Sequence, residues 1–160
     1  MKSSTDTPQN AIDLATLYDR DFYLWIETTS KLLRDGKFHE LDIDNLAEEI
    51  ETMGRSEKHA LTSNLRVLLM HLLKYKYQPQ KRTNSWKYTI REHRKRLQKL
   101  LKDSPSLYRY FIEMFDESYQ DARELAADET GMSIDRFPET SPFSQEETLD
   151  SDYLPTNDTM

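Results

Sequence analysis

Residues 42–77 read DIDNLAEEIETMGRSEKHALTSNLRVLLMHLLKYKY, and the spacing of their apolar positions decides the fold. Ile43, Leu46, Ile50 and Met53 recur at three- and four-residue steps, and Leu61, Leu65, Leu68 and Leu72 carry the stripe onward. That is the period of an amphipathic helix, not the alternation of a half-buried strand. Asp42 or Asp44 can cap the free amides of a first turn, and Pro79 ends the pattern. Gly54-Arg-Ser56 interrupts it, and one kinked helix or two separate helices both satisfy the sequence there.

The same period recurs on either side. Tyr18, Phe22, Trp25, Ile26, Thr29 and Leu33 predict a helix from about Leu14 to Gly36, with the glycine as its left-handed cap. Trp86, Ile90, His93, Leu97 and Leu101 predict another from Asn84 or Ser85 to Asp103, where Ser104-Pro105 signals a new start. Tyr108, Phe111, Phe115, Ser118, Ala122, Leu125 and Ala126 give the last long helix, stopped at Gly131. Short connections between amphipathic helices predict an all-α fold, an antiparallel bundle of four to five helices over residues 14–131. Beyond it, Pro138, Pro142 and Pro155 separate isolated apolar residues such as Phe137, Phe143 and Tyr153. That texture predicts an extended arm, 132–155, packed on the bundle, with one short helix opened by a Ser144–Glu147 capping box. Residues 1–13 are expected to be flexible and 156–160 frayed.

Composition narrows the function classes. The 160 residues suit one domain, able to bury roughly two thirds of its unfolded surface. Three glycines and 32% charged residues argue against a turn-rich all-β fold. The absence of cysteine excludes disulfides, thiolate metal sites and thiol nucleophiles. Met1 to Pro8 lacks the apolar core of a signal peptide, and the longest aliphatic run, Val67–Met70, is far too short to span a bilayer. A cytoplasmic protein without a membrane partner is the expectation. The isolated glycines Gly36, Gly54 and Gly131 form no phosphate-cradling loop, so no cofactor is expected.

Several ordered blocks carry a family resemblance. They include Asp21-Phe-Tyr-x-Trp25, Leu41-Asp-x-x-Asn-Leu-x-Glu-Glu-Ile50, Met53-Gly54, His71-Leu-Leu-Lys74, Tyr77-Gln-Pro79 and Ser85-Trp86. Ile90-Arg-Glu-x-Arg94, Ser104-Pro-Ser-Leu107 and Phe137-Pro138 follow in order. From Tyr18 to Pro155 the chain resembles the bacterial family catalogued as "domain of unknown function 29". The resemblance implies an all-α protein without an established activity. A common pattern of that family places cysteine before the proline near the end, where this chain has Ser141, so a thiol role does not transfer.

Charge is the strongest functional signal. Eleven of 22 lysines and arginines lie between Lys74 and Lys102 with one acid, Glu92, giving that stretch +10; the remaining 11 bases and 28 acids give −17. Pairs such as Lys87–Arg91, Arg91–Lys95 and Lys95–Lys99 are like charges one turn apart, each costing about 0.2–0.5 kcal/mol unless neutralised. One reading is an anion-binding surface of Lys74, Lys76, Lys81, Arg82, Lys87, Lys95 and Lys99, interleaved with Tyr75, Tyr77, Trp86 and Tyr88. Its partner would be a nucleic acid or an acidic protein. The other is internal pairing with Glu48, Glu49 and Glu51, or with Glu113, Asp116, Asp121 and Glu124. Asn45, Glu49, Arg91 and Arg94 are expected to form an internal polar network.

Two further classes stay in view. A metal-assisted hydrolase or nuclease would draw on Asp21, Glu49 and His71, although no paired Glu-x-x-His motif supplies ligands and no metal site is assigned. Glu49 and His71 lie about 33 Å apart along a continuous helix, so they can share an ion only if the chain folds back at Gly54. A leftover helix face also leaves room for a homo-oligomer.

Overall fold

The computed structural model describes residues 13–156. Among them it is all-helical, with six α-helices, three 3-10 turns and no strand, as the periodicity predicts. The helices are α1 (Leu14–Arg20), α2 (Phe22–Arg34), α3 (Ile43–Tyr77), α4 (Asn84–Asp103), α5 (Leu107–Thr130) and α6 (Gln145–Leu149). They fall into two compact units, one ending at Gly54 and the other beginning at Arg55, so the residues 14–131 expected to form one bundle are divided between them. The flexible and frayed termini expected at 1–13 and 156–160 lie outside the described residues, apart from Asp13 and Thr156.

The first unit holds α1, α2, the 3-10 turn Phe38–Glu40 and the opening turns of α3. The helix expected from Leu14 to Gly36 divides at Asp21, whose backbone leaves helical geometry (φ −149°, ψ 83°). The Asp21 carboxylate then accepts from Leu24 N at 3.1 Å and caps α2. Periodicity alone hides such a break, because the apolar stripe stays in phase across it. Tyr18, Phe22 and Trp25 gather around the break, with ring centroids 5.0–5.8 Å apart. Gly36 adopts φ 72° and lets Lys37 N reach back to Leu32 O, closing α2 with a left-handed cap. Among its described residues only Leu17, Trp25 and Thr29 are buried, so that part of the unit has a thin core.

The second unit has the main core. α3 is one unbroken helix through Gly54, and its predicted residues Leu61, Leu65, Leu68 and Leu72 are all fully buried. Ile90 and Leu97 of α4 join them, with Phe111, Phe115, Tyr119, Ala122 and Ala126 of α5. Thr83 caps α4 by accepting from Trp86 N at 3.2 Å, and Gly131 ends α5 at φ 71°.

The arm after Gly131 adds Phe137 and Phe143 to the same core, and the Ser144–Glu147 capping box opens α6. Side chains of α4 and α5 hold the arm by its backbone carbonyls. Arg94 donates to Thr148 O at 2.9 Å, Tyr153 O at 3.0 Å and Glu147 O at 3.4 Å. Gln98 donates to Leu149 O at 2.7 Å, Tyr119 to Pro138 O at 2.5 Å and Arg123 to Phe137 O at 3.0 Å. Such bonds fix an irregular segment independently of its own side chains. Ser141 serves the arm as well, accepting from Phe143 N at 3.1 Å and donating to Phe143 O at 2.8 Å.

Candidate functional site

α4 turns Ile90 and Leu97 into the core, which leaves the opposite side to its charged residues. Residues four apart on a helix stand one turn above another. Lys87, Arg91 and Lys95 form such a row, and all three are exposed. None of them forms an ion pair among the described residues. The row therefore holds two like-charge contacts that no ion pair among the described residues offsets, each costing about 0.2–0.5 kcal/mol. Glu113, one of the acids expected to face α4, instead accepts from Arg109 on its own helix at 3.0 Å. Lys81, Arg96 and Lys102 are also exposed.

Other cations of the segment are committed elsewhere. Lys74 is 5% exposed, donates to Glu129 Oε1 at 2.6 Å and lies 4.6 Å from the Trp86 ring centroid. A buried ammonium survives in that place because a carboxylate and an aromatic face replace its water. Arg82 donates through Nε to Tyr75 O at 2.7 Å and stacks 4.2 Å over the Tyr75 ring. Lys76 is half-buried, 6.0 Å from the Tyr77 ring centroid. Lys99 pairs with Asp103 at 2.6 Å, and that bond holds its ammonium pKa above the ordinary range. Of the four interleaved aromatics only Tyr88, 67% exposed, keeps an open ring: Tyr75 is buried, Tyr77 packs edge-on to Phe137, and Trp86 is covered by Lys74.

The remaining candidates are dispersed. Asp21 is the α2 cap. Glu49 accepts a short hydrogen bond from the Tyr18 phenol, which chiefly through that bond is pushed up to about 12. α3 does not fold back at Gly54. Asn45 donates to Asp42 Oδ2 at 2.6 Å, within the first turn of α3. Arg94, expected to meet an acid, spends its donors on the arm's carbonyls, and Arg91 stands exposed in the cationic row. No group of three or more His, Asp or Glu side chains able to hold a metal occurs among the described residues.

His71 has a neighbour that spacing did not suggest. Its Nδ1 donates to Val67 O at 3.0 Å, because a carbonyl can only accept. Asn64 donates its amide to Ala60 O at 2.7 Å and offers its oxygen to His93 Nδ1 at 2.8 Å. Both imidazoles therefore carry the Nδ1 proton when neutral. Burial is the main cause holding each below its ordinary pKa, with Lys74 adding to it at His71 and Arg96 and His71 at His93. Asn64, His71 and His93 are thus half-buried groups whose hydrogen bonds are made within the second unit.

The fold and these surfaces define a class: an all-helical protein with a cationic row on α4, and with no helix among its described residues long and apolar enough to cross a membrane. The chain belongs to the family described as Domain of unknown function DUF29, matched over residues 17–154. No curated protein and no solved structure matches it.

Proposed function

We propose that this protein is a binding module that meets an anionic partner, a nucleic acid or an acidic protein surface, through α4. One observation carries the reading: Lys87, Arg91 and Lys95 stand exposed in a single row and form no ion pair among the described residues. Their spacing of about 6 Å along the helix suits successive charges of a polyanion. The reading now excludes Lys74, Arg82 and Lys99, whose charges are already engaged, and it rests on charge rather than base stacking, since only Tyr88 is open.

Fluorescence anisotropy at low salt tests it, with a labelled duplex and labelled polyglutamate as separate polyanions. The native chain is expected to bind at least one of them, and a Lys87→Glu, Arg91→Glu, Lys95→Glu variant neither. Flat curves for both polyanions, or equal binding by the variant, overturn the proposal.

A further inference from the structure

The first unit carries an open groove between α2 and the opening turns of α3, about 440 Å³ in volume. Phe22, Ile26, Leu33, Leu46, Ile50 and Met53 line it. Five of these are large apolar side chains left 42–66% exposed: Leu33 at 42%, Ile26 at 43%, Phe22 at 45%, Ile50 at 61% and Met53 at 66%. Exposed apolar side chains are ordinary when scattered, whereas a contiguous lining marks an interaction surface.

Two polar atoms sharpen this. Trp25 and Thr29 also line the groove, at 2% and 3% exposure, and their Nε1 and Oγ1 are buried without a hydrogen-bond partner among the described residues. Each such group costs about 1–3 kcal/mol unless an acceptor arrives.

Charge selects the occupant. Residues 13–54 hold four bases (Arg20, Lys31, Arg34, Lys37) against eleven acids, so the whole net charge of −7 belongs to this unit and the other is balanced. Glu49 lines the groove itself, and Asp44, Glu48 and Glu51 share its helix. A second copy on this face would bring −7 against −7. The α4 helix of another copy has the right charge, but Ile90 and Leu97 are buried in its own core and leave it no apolar face to offer.

We infer that this groove is a docking site for a cationic amphipathic helix of a partner protein. The apolar lining repeats at helical steps on both walls, so a third helix can lay one apolar stripe between them. α2 is about 20 Å long, enough for three to four turns of the occupant. Basic residues on the occupant's flanks would face the acids of α3, while its stripe covers Trp25 and Thr29. This inference is independent of the α4 row, which lies in the other unit.

The test titrates the full chain carrying Lys87→Gln, Arg91→Gln and Lys95→Gln, which removes the α4 row as a second site for an acidic helix, with two synthetic helices that share one leucine stripe, one flanked by lysine and the other by glutamate. Calorimetry gives affinities, and the Trp25 indole N–H resonance reports on the groove. The lysine helix is expected to bind about tenfold or more tighter than the glutamate helix and to shift that resonance. Ile50→Asp and Met53→Asp, both at exposed positions that should leave the thermal transition intact, are expected to weaken binding about tenfold or more. Equal affinity for the two helices, a lysine helix that ignores both variants, or an unmoved Trp25 resonance overturns the inference. A dimer in light scattering that Ile50→Asp returns to monomer also overturns it, by assigning the groove to a second copy.

Discussion

At the residue scale, Arg94 shows how one buried cation can organise an irregular segment. The residue is 3% exposed and its guanidinium serves carbonyls of Glu147, Thr148 and Tyr153, so burial rather than any carboxylate lowers its pKa. Replacement by alanine leaves those carbonyls without their donor and is expected to cost about 3 kcal/mol in chemical denaturation. Lysine, which cannot fork to three acceptors, should recover only part of it. His71 and His93 lie in the same unit and give a pH dependence. Their folded pKa values fall below the ordinary 6.5, so the unfolded chain binds more protons in that range. Stability therefore falls as pH drops below about 6.5 and gains nothing from these groups above it. Thermal melts between about pH 7 and about pH 5 should show this slope, and a His71→Asn, His93→Asn double variant should flatten it.

At the element scale, the glycines separate two kinds of helix position. Gly54 is helical inside α3, and a Cβ there meets nothing within 4 Å. Gly54→Ala is expected to stabilise the protein by about 1 kcal/mol, while Gly131→Ala, at φ 71°, should destabilise it by a similar amount, both read by denaturant midpoint. These positions also show what was legible in the sequence. The stripe from Leu61 to Leu72 named the core of α3 because burial enforces its period. The Gly54 continuity was not legible, since one isolated glycine costs a helix too little to break it. The Asp21 break escaped for the converse reason: a cap stops a helix without disturbing its apolar phase. The arm's clasp was invisible because Arg94, Gln98 and Arg123 bond to carbonyls, which every residue possesses.

For the whole molecule, charge divides along the chain more informatively than the raw segment count suggests. The +10 stretch from Lys74 to Lys102 belongs to a unit whose bases and acids balance, and several of its cations are internal. The excess negative charge belongs instead to the unit with the exposed apolar groove. Spacing alone showed α4 as basic, but burial decided which cations are free, and burial depends on neighbours far along the chain. The groove left a fainter trace, in that α2 carries more apolar residues than one core-facing stripe requires.

Salt dependence of duplex binding tests the α4 row most directly, because it counts phosphate contacts. Three contacts predict that log K falls against log salt with a slope of about −2.7, and Lys95→Gln should reduce its magnitude by about 0.9. A slope near zero, or one that the Lys95→Gln variant leaves unchanged, would contradict the assignment of Lys87, Arg91 and Lys95 as the binding row.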